Sequence, residues 1–240
     1  MIRKNDSTGR LYGASVTIHP MNFPKELFEQ IRKNPIIAVL TLEDPGVAPD
    51  LARALLAGGV RGIELTLRTP AAIESLKRLR EAGSGLILGA GTVLTPDQVL
   101  QVKDVGVSFA VSPGLNPRVV RAAQDAGVPF APGICTPSDI EGALELGCTL
   151  MKYFPAETSG GLPHLKNMAA PYAHLGVGFI PLGGLNESNM LNYLGDRLVP
   201  AIGGSWIAPK DRIAARDWAG IEENARRAVD KWKTLARLAS

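Results

Sequence analysis

One lysine inside an apolar run is the first candidate for chemistry in this chain. Residues 147–157 read Gly-Cys-Thr-Leu-Met-Lys-Tyr-Phe-Pro-Ala-Glu, with Lys152 near the end of the apolar segment Thr149–Phe154. The β-branched and aromatic content of that segment is that of a buried strand. Side chains alternate across a strand, so Leu150, Lys152 and Phe154 share one face and Met151 and Tyr153 the other. Burial disfavours the ammonium form and favours the neutral amine, which is the form that attacks a ketone. The plainer alternative is a strand-end lysine whose ammonium reaches water along its aliphatic stem.

Other polar residues fall at spacings that suit the same chemistry. Glu64, Thr66 and Arg68 alternate with Ile63, Leu65 and Leu67. If the apolar set faces covering helices, the polar set points to the interior, where it needs partners. The inverted register would put it in water. Gly89-Ala90-Gly91-Thr92 leaves room beside a strand end and offers a hydroxyl, although such glycines also serve close strand packing. Val111-Ser112-Pro113-Gly114 ends another strand as a fixed wall with a turn.

The elements that must position these residues repeat along the chain. Strands are expected at Ile36–Leu40, Gly62–Leu67, Leu86–Val93, Ser108–Ser112, Phe130–Pro132, Thr149–Phe154, Val177–Leu182 and Val199–Ile202. Helices are expected at Ala48–Leu56, Ala71–Ala82, Pro96–Val105, Pro117–Ala126, Ser138–Leu146, His164–Tyr172 and Glu187–Leu194. Most end at a glycine. A short helix, Phe23–Lys33, precedes them, and a last one from Asp211 carries the apolar stripe Trp218, Ile221, Ala225, Val229, Trp232 and Leu235. Strands alternating with helices imply parallel pairing, and eight such units point to a (β/α)8 TIM barrel. The alternative is an open doubly wound sheet, but no Gly-x-Gly-x-x-Gly opens the first unit. The reading is thus a polar leader, residues 1–22, and one barrel domain, residues 23–240, with an N-terminal helix and an extra C-terminal helix over 211–238.

In a barrel the working residues sit at the C-terminal strand ends. Leu182-Gly183-Gly184 and Ile202-Gly203-Gly204-Ser205 end the seventh and eighth strands. Paired glycines there expose backbone N–H groups and form the phosphate site of this architecture, or else serve as ordinary tight turns. A lysine, a carboxylate, an arginine, a threonine and a phosphate cradle would then meet at one mouth. That set suits imine chemistry on a keto acid, with the Arg68 fork matching its carboxylate.

Composition narrows the field. The 240 residues carry 26 basic and 23 acidic side chains, a net charge of +3 that gives no ground for a nucleic-acid partner. His19, His164 and His174 have no zinc-ligand spacing, Cys135 and Cys148 suggest a reduced, cytoplasmic protein with a disulfide as the alternative, and no metal or cofactor motif is present. No apolar run approaches the length of a membrane span, and the N-terminus lacks the apolar core of a signal peptide.

Taken together, several motifs resemble one family. They are Glu64-Leu65-Thr66-Leu67-Arg68-Thr69, Gly89-Ala90-Gly91-Thr92-Val93-Leu94, Ser112-Pro113-Gly114, Pro132-Gly133-Ile134, Lys152-Tyr153-Phe154-Pro155-Ala156-Glu157 and Ile202-Gly203-Gly204-Ser205-Trp206. In that order, over residues 35–209, they are similar to the bacterial 2-keto-3-deoxy-6-phosphogluconate (KDPG) / 4-hydroxy-2-oxoglutarate (KHG) aldolases. The resemblance implies a class I aldolase on a TIM barrel, cofactor-free and a homotrimer, acting on a small 2-keto acid. It assigns Lys152 as the imine lysine, Glu64 as acid/base, Arg68 and Thr92 to the carboxylate, and Gly183, Gly184, Gly203, Gly204 and Ser205 to phosphate. Thr66, Pro113 and Phe154 form the pocket wall. Leu182 stands where the family commonly has threonine, and Thr41 where some members carry arginine. The tail after Pro209 is longer than expected. These departures bear on substrate preference, leaving the galactonate epimer open. An imine-free phosphate-binding isomerase or synthase using Glu64 as base, and a small-molecule sensor, are the other readings.

Overall fold

Each strand presents one apolar face to a helix, and that face builds the architecture. The computed structural model describes residues 23–83 and 85–238, so the polar leader read at residues 1–22 lies outside the described residues. Helix α1 (Lys25–Lys33) leads into β1 (Ile36–Leu40) and α2 (Ala48–Ala57). Then follow β2 (Gly62–Thr66), α3 (Ala72–Ala82), β3 (Ile87–Gly91), α4 (Pro96–Val105), β4 (Phe109–Val111) and α5 (Pro117–Ala126). Next come β5 (Phe130–Ala131), β6 (Gly133–Ile134), α6 (Pro137–Glu145), β7 (Leu150–Tyr153) and α7 (Gly161–Ala169). The chain continues through β8 (Gly178–Pro181), α8 (Met190–Leu194), β9 (Ile202–Gly204), α9 (Lys210–Ala214) and α10 (Trp218–Leu238). Capping is written locally: Thr95 with Gln98 and Thr136 with Asp139 form capping boxes at the starts of α4 and α6.

The fold is α/β, with curled, all-parallel sheets covered by helices. Six strands pair in the order β5-β4-β3-β2-β1-β9, and three in the order β6-β7-β8. A single parallel bridge, Leu182 with Gly203, links the end of β8 to β9. Two apolar layers result. Ile63, Leu65, Met151 and Tyr153 face the helices in one cluster, while Ile37, Ile87, Phe109, Leu150 and Ile180 fill the concave side. Phe23 and Ile31, beside and within α1, join that inner cluster. Each such fully buried aliphatic side chain contributes roughly 1.5–3 kcal/mol.

Several expected boundaries move. The strand expected at Phe130–Pro132 continues past it in two pieces, because Pro132 lacks an N–H; its carbonyl still accepts from Lys152 N at 2.8 Å. The strand expected at Val199–Ile202 begins later, at Ile202. Pro200 has no amide to give, and Val199 N is turned back onto Asp196 O. The expected helix His164–Tyr172 starts at Gly161 and tightens into a 3₁₀ turn, Ala170–Leu175, at Pro171. The helix expected from Glu187 begins at Met190, since Asn186 and Asn189 side chains hold the preceding residues in turns. The C-terminal helix is two helices, divided near Arg216, whose φ is +53°. Its stripe packs as expected through Ile221, Ala225 and Val229, and lies so near α2 that a Cβ on Gly58 would collide with Ala225.

Gly89 shows how tightly the concave side is filled: a Cβ there would collide with the Phe109 ring. Gly89→Ala is expected to destabilise the protein by about 1–3 kcal/mol, the cost of overpacking a core, read as a lower urea midpoint with an unchanged slope.

Candidate active site

All twelve site residues picked out by residue type and spacing line one cavity of about 510 Å³. They are Glu64, Thr66, Arg68, Thr92, Pro113, Lys152, Phe154, Gly183, Gly184, Gly203, Gly204 and Ser205. The volume is that of a small-ligand pocket. The register of the polar line on β2 is the inward one, with Ile63 and Leu65 packed among the helices and Glu64 and Thr66 buried.

At the cavity floor Lys152 Nζ lies 2.8 Å from Glu64 Oε1, with the two residues 5% and 2% exposed. A buried ion pair offsets much of the desolvation each charge would suffer alone. The lysine therefore does not reach water as a strand-end lysine would. It also lies 5.4 Å from the centre of the Phe154 ring, within cation–π range. The carboxylate fits because Gly91 has no side chain, since a Cβ there would collide with Glu64 Oε1.

Arg68 is held at the rim by two hydroxyls. Its Nη2 donates to Thr41 Oγ1 at 2.7 Å and its Nε to Thr66 Oγ1 at 3.3 Å. Thr41 and Thr66 are themselves 2.8 Å apart, and Thr66 also reaches Leu40 O at 3.1 Å. Thr92, after β3, has φ +59°, a left-handed conformation uncommon for a β-branched residue and costing about 1–3 kcal/mol.

On the other side of the cavity, Gly183 and Gly184 have φ of +96° and +83°. The loop after β7 packs against them: Ala156 N donates to Leu182 O at 2.7 Å and Glu157 N to Gly183 O at 3.0 Å. A Cβ on Gly184 would come within 2.6 Å of Glu157 Cβ. The Glu157 carboxylate accepts a hydrogen bond from the Tyr193 hydroxyl. Behind Lys152, on the helix-facing side of β7, burial pushes the Tyr153 hydroxyl up to about 12, with smaller contributions from the neighbouring Cys135 and Glu157 side chains. Tyr153 is therefore protonated and apart from the cavity.

Sequence reasoning noted Thr41 only as a departure from a family pattern, whereas the structure makes it a partner of Arg68. The period of two in Ile37, Val39 and Thr41 was the available signal, because Val39 and Thr41 both line the cavity. Leu185, Trp206 and Lys210 also line it without having been picked out. They lie on loops or at a helix start, where no strand period marks direction.

The arrangement offers an amine, a proton acceptor in contact with it, a guanidinium at the rim and a wall of glycines. The model of the KDPG and KHG aldolase family matches residues 27–224. The chain belongs to that family. It is 43% identical over 195 residues to 2-dehydro-3-deoxy-phosphogluconate aldolase of Treponema pallidum, covering 81% of this chain and 92% of the relative. It is 39% identical over 196 residues to the KHG/KDPG aldolase of Escherichia coli K12, covering 82% and 91%. The crystal structure of KDPG aldolase from Legionella pneumophila superimposes with a TM-score of 0.80 at 36% identity, over 84% of this chain and 97% of that one. That enzyme was captured with pyruvate as a covalent carbinolamine intermediate.

Gly91→Ala is expected to push the Glu64 carboxylate away from Lys152. Displacement of a catalytic group by about 1 Å costs on the order of 10²-fold, so the aldol-cleavage kcat should fall by that factor while circular dichroism keeps its native form.

Proposed function

We propose that this protein is a class I, Schiff-base aldolase. It cleaves KDPG to pyruvate and glyceraldehyde 3-phosphate, or 4-hydroxy-2-oxoglutarate to pyruvate and glyoxylate, or both. The observation that carries this reading is the buried Lys152–Glu64 contact at 2.8 Å on the floor of the cavity. A lysine that must become neutral to attack a ketone has its proton acceptor already in contact.

The steps follow from that contact. Arg68, steadied by Thr41 and Thr66, pairs with the substrate carboxylate, and Thr92 offers it a hydroxyl. Glu64 takes a proton from Lys152, and the free amine adds to C2. The resulting carbinolamine loses its hydroxyl as water, with Glu64 returning the proton, to give a protonated imine. Glu64, again a carboxylate, accepts the proton of the C4 hydroxyl directly or through a water. The electrons of the C3–C4 bond move into the imine, the aldehyde leaves and an enamine remains. Protonation at C3 and hydrolysis release pyruvate and restore the amine. Glycine N–H groups of Gly183, Gly184, Gly203 and Gly204, with Ser205, take the distal phosphate.

We also infer that the strands close into an eight-stranded (β/α)8 barrel forming one domain with α1 and the C-terminal helices. The support is threefold. β5 and β6 are consecutive and interrupted only at Pro132, the Leu182–Gly203 bridge joins β8 to β9, and Lys152 on β7 meets Glu64 on β2 across the concave side. The proposed assembly is a cytoplasmic homotrimer, for which the exposed Leu94 and Leu100 offer apolar surface.

Incubation with pyruvate and borohydride should place a pyruvate-sized secondary amine on Lys152, mapped by peptide mass. Folded protein without an adduct would leave the imine-free isomerase reading standing. Lys152→Ala is expected to abolish turnover, and near wild-type aldolase activity in it would sink the assignment. Glu64→Gln should retain some adduct formation while slowing cleavage by about 10²–10⁴-fold, the usual worth of a general acid–base, measured by coupled pyruvate release.

A further inference from the structure

The cavity is lined by a lysine that the aldol chemistry does not use. Lys210, the first residue of α9, lines the same cavity as Gly183, Gly184, Gly203, Gly204 and Ser205. Its side chain is exposed, and among the described residues no carboxylate forms an ion pair with it. The other cations of the cavity are committed elsewhere: Lys152 to Glu64, and Arg68 to Thr41 and Thr66 on the β1–β2 side. Asp211, its neighbour, does not line the cavity, and Arg212 is paired with Asp217.

The glycine amides and the Ser205 hydroxyl are neutral donors. A phosphate monoester carries roughly −1.5 to −2 charges at neutral pH, which a nearby cation complements. Leu182, beneath the glycine pairs, is buried and apolar and adds neither charge nor hydroxyl. A point cation on a long stem is suited to this position. We propose that Lys210 is the specificity-determining residue that selects a substrate carrying a terminal phosphate on its aldehyde half. This rests on the aldolase reading of the cavity.

The test compares a six-carbon 2-keto-3-deoxy acid with and without its phosphate, in the wild type and in Lys210→Met and Lys210→Arg. The ratio of kcat/KM for the phosphorylated over the unphosphorylated acid should fall about tenfold in Lys210→Met. That is the scale of one hydrogen bond to a charged group. The fall should arise mainly in KM, and Lys210→Arg should recover most of it. An unchanged ratio, or an equal fall for both substrates, would overturn the proposal. Titration of inorganic phosphate, followed by phosphorus NMR, should show binding weakened to a similar degree in Lys210→Met, whereas equal binding would count against the assignment. Absence of a borohydride-trapped pyruvate adduct in the wild type would remove the aldolase reading. The phosphate titration needs no imine and would still decide the role of Lys210.

Discussion

A buried ion pair between β2 and β7 organises this molecule. Lys152 and Glu64 are 88 residues apart in the chain and 2.8 Å apart in space, both almost without solvent. Neither charge would be tolerated alone at that depth, and either becomes costly if its partner is removed. The surrounding structure can be understood as what that contact requires. Gly91 leaves the space for the carboxylate, Phe154 lies beside the ammonium, and the apolar cluster of Ile37, Ile87, Phe109, Leu150 and Ile180 shuts out water on the concave side.

In the proposed mechanism the same pair also supplies the chemistry. A carboxylate that stabilises an ammonium in the resting enzyme is the group best placed to take its proton when a ketone arrives. Stability and reactivity thus draw on one short contact. The rest of the cavity sorts by charge around it. Arg68 stands on one side, propped by hydroxyls that keep its fork directed, and the glycine pairs stand on the other. Thr92 and the glycines after β8 hold left-handed backbone conformations that bring their groups to the mouth.

Membership of the KDPG and KHG aldolases is carried by the match over residues 27–224 and by relatives at 43% and 39% identity. Thr41 supplies a hydroxyl that supports Arg68, and Leu182 is a buried, apolar part of the cavity lining. Beyond Pro209 the chain continues into α9 and α10, which places Lys210 at the rim and packs α10 on α2.

The period of two on β2 and β7 was legible in the sequence, because alternation is a local geometric property of an extended chain. It put Glu64, Thr66 and Lys152 on the inward faces, and glycine-ended helices between apolar runs implied parallel α/β pairing. The sequence by itself also determined the family, through motifs kept in order. It did not determine that Lys152 would meet Glu64, since a contact over 88 residues depends on how far the sheets curl. Nor did it determine the Thr41–Thr66–Arg68 chain, the break at Pro132, the late start of β9 or the placing of Lys210. Those follow from backbone donors and acceptors finding partners in neighbouring segments, and from side chains at loop ends that no period directs. Only the tertiary structure decides such contacts, because each is the joint choice of segments far apart in the chain.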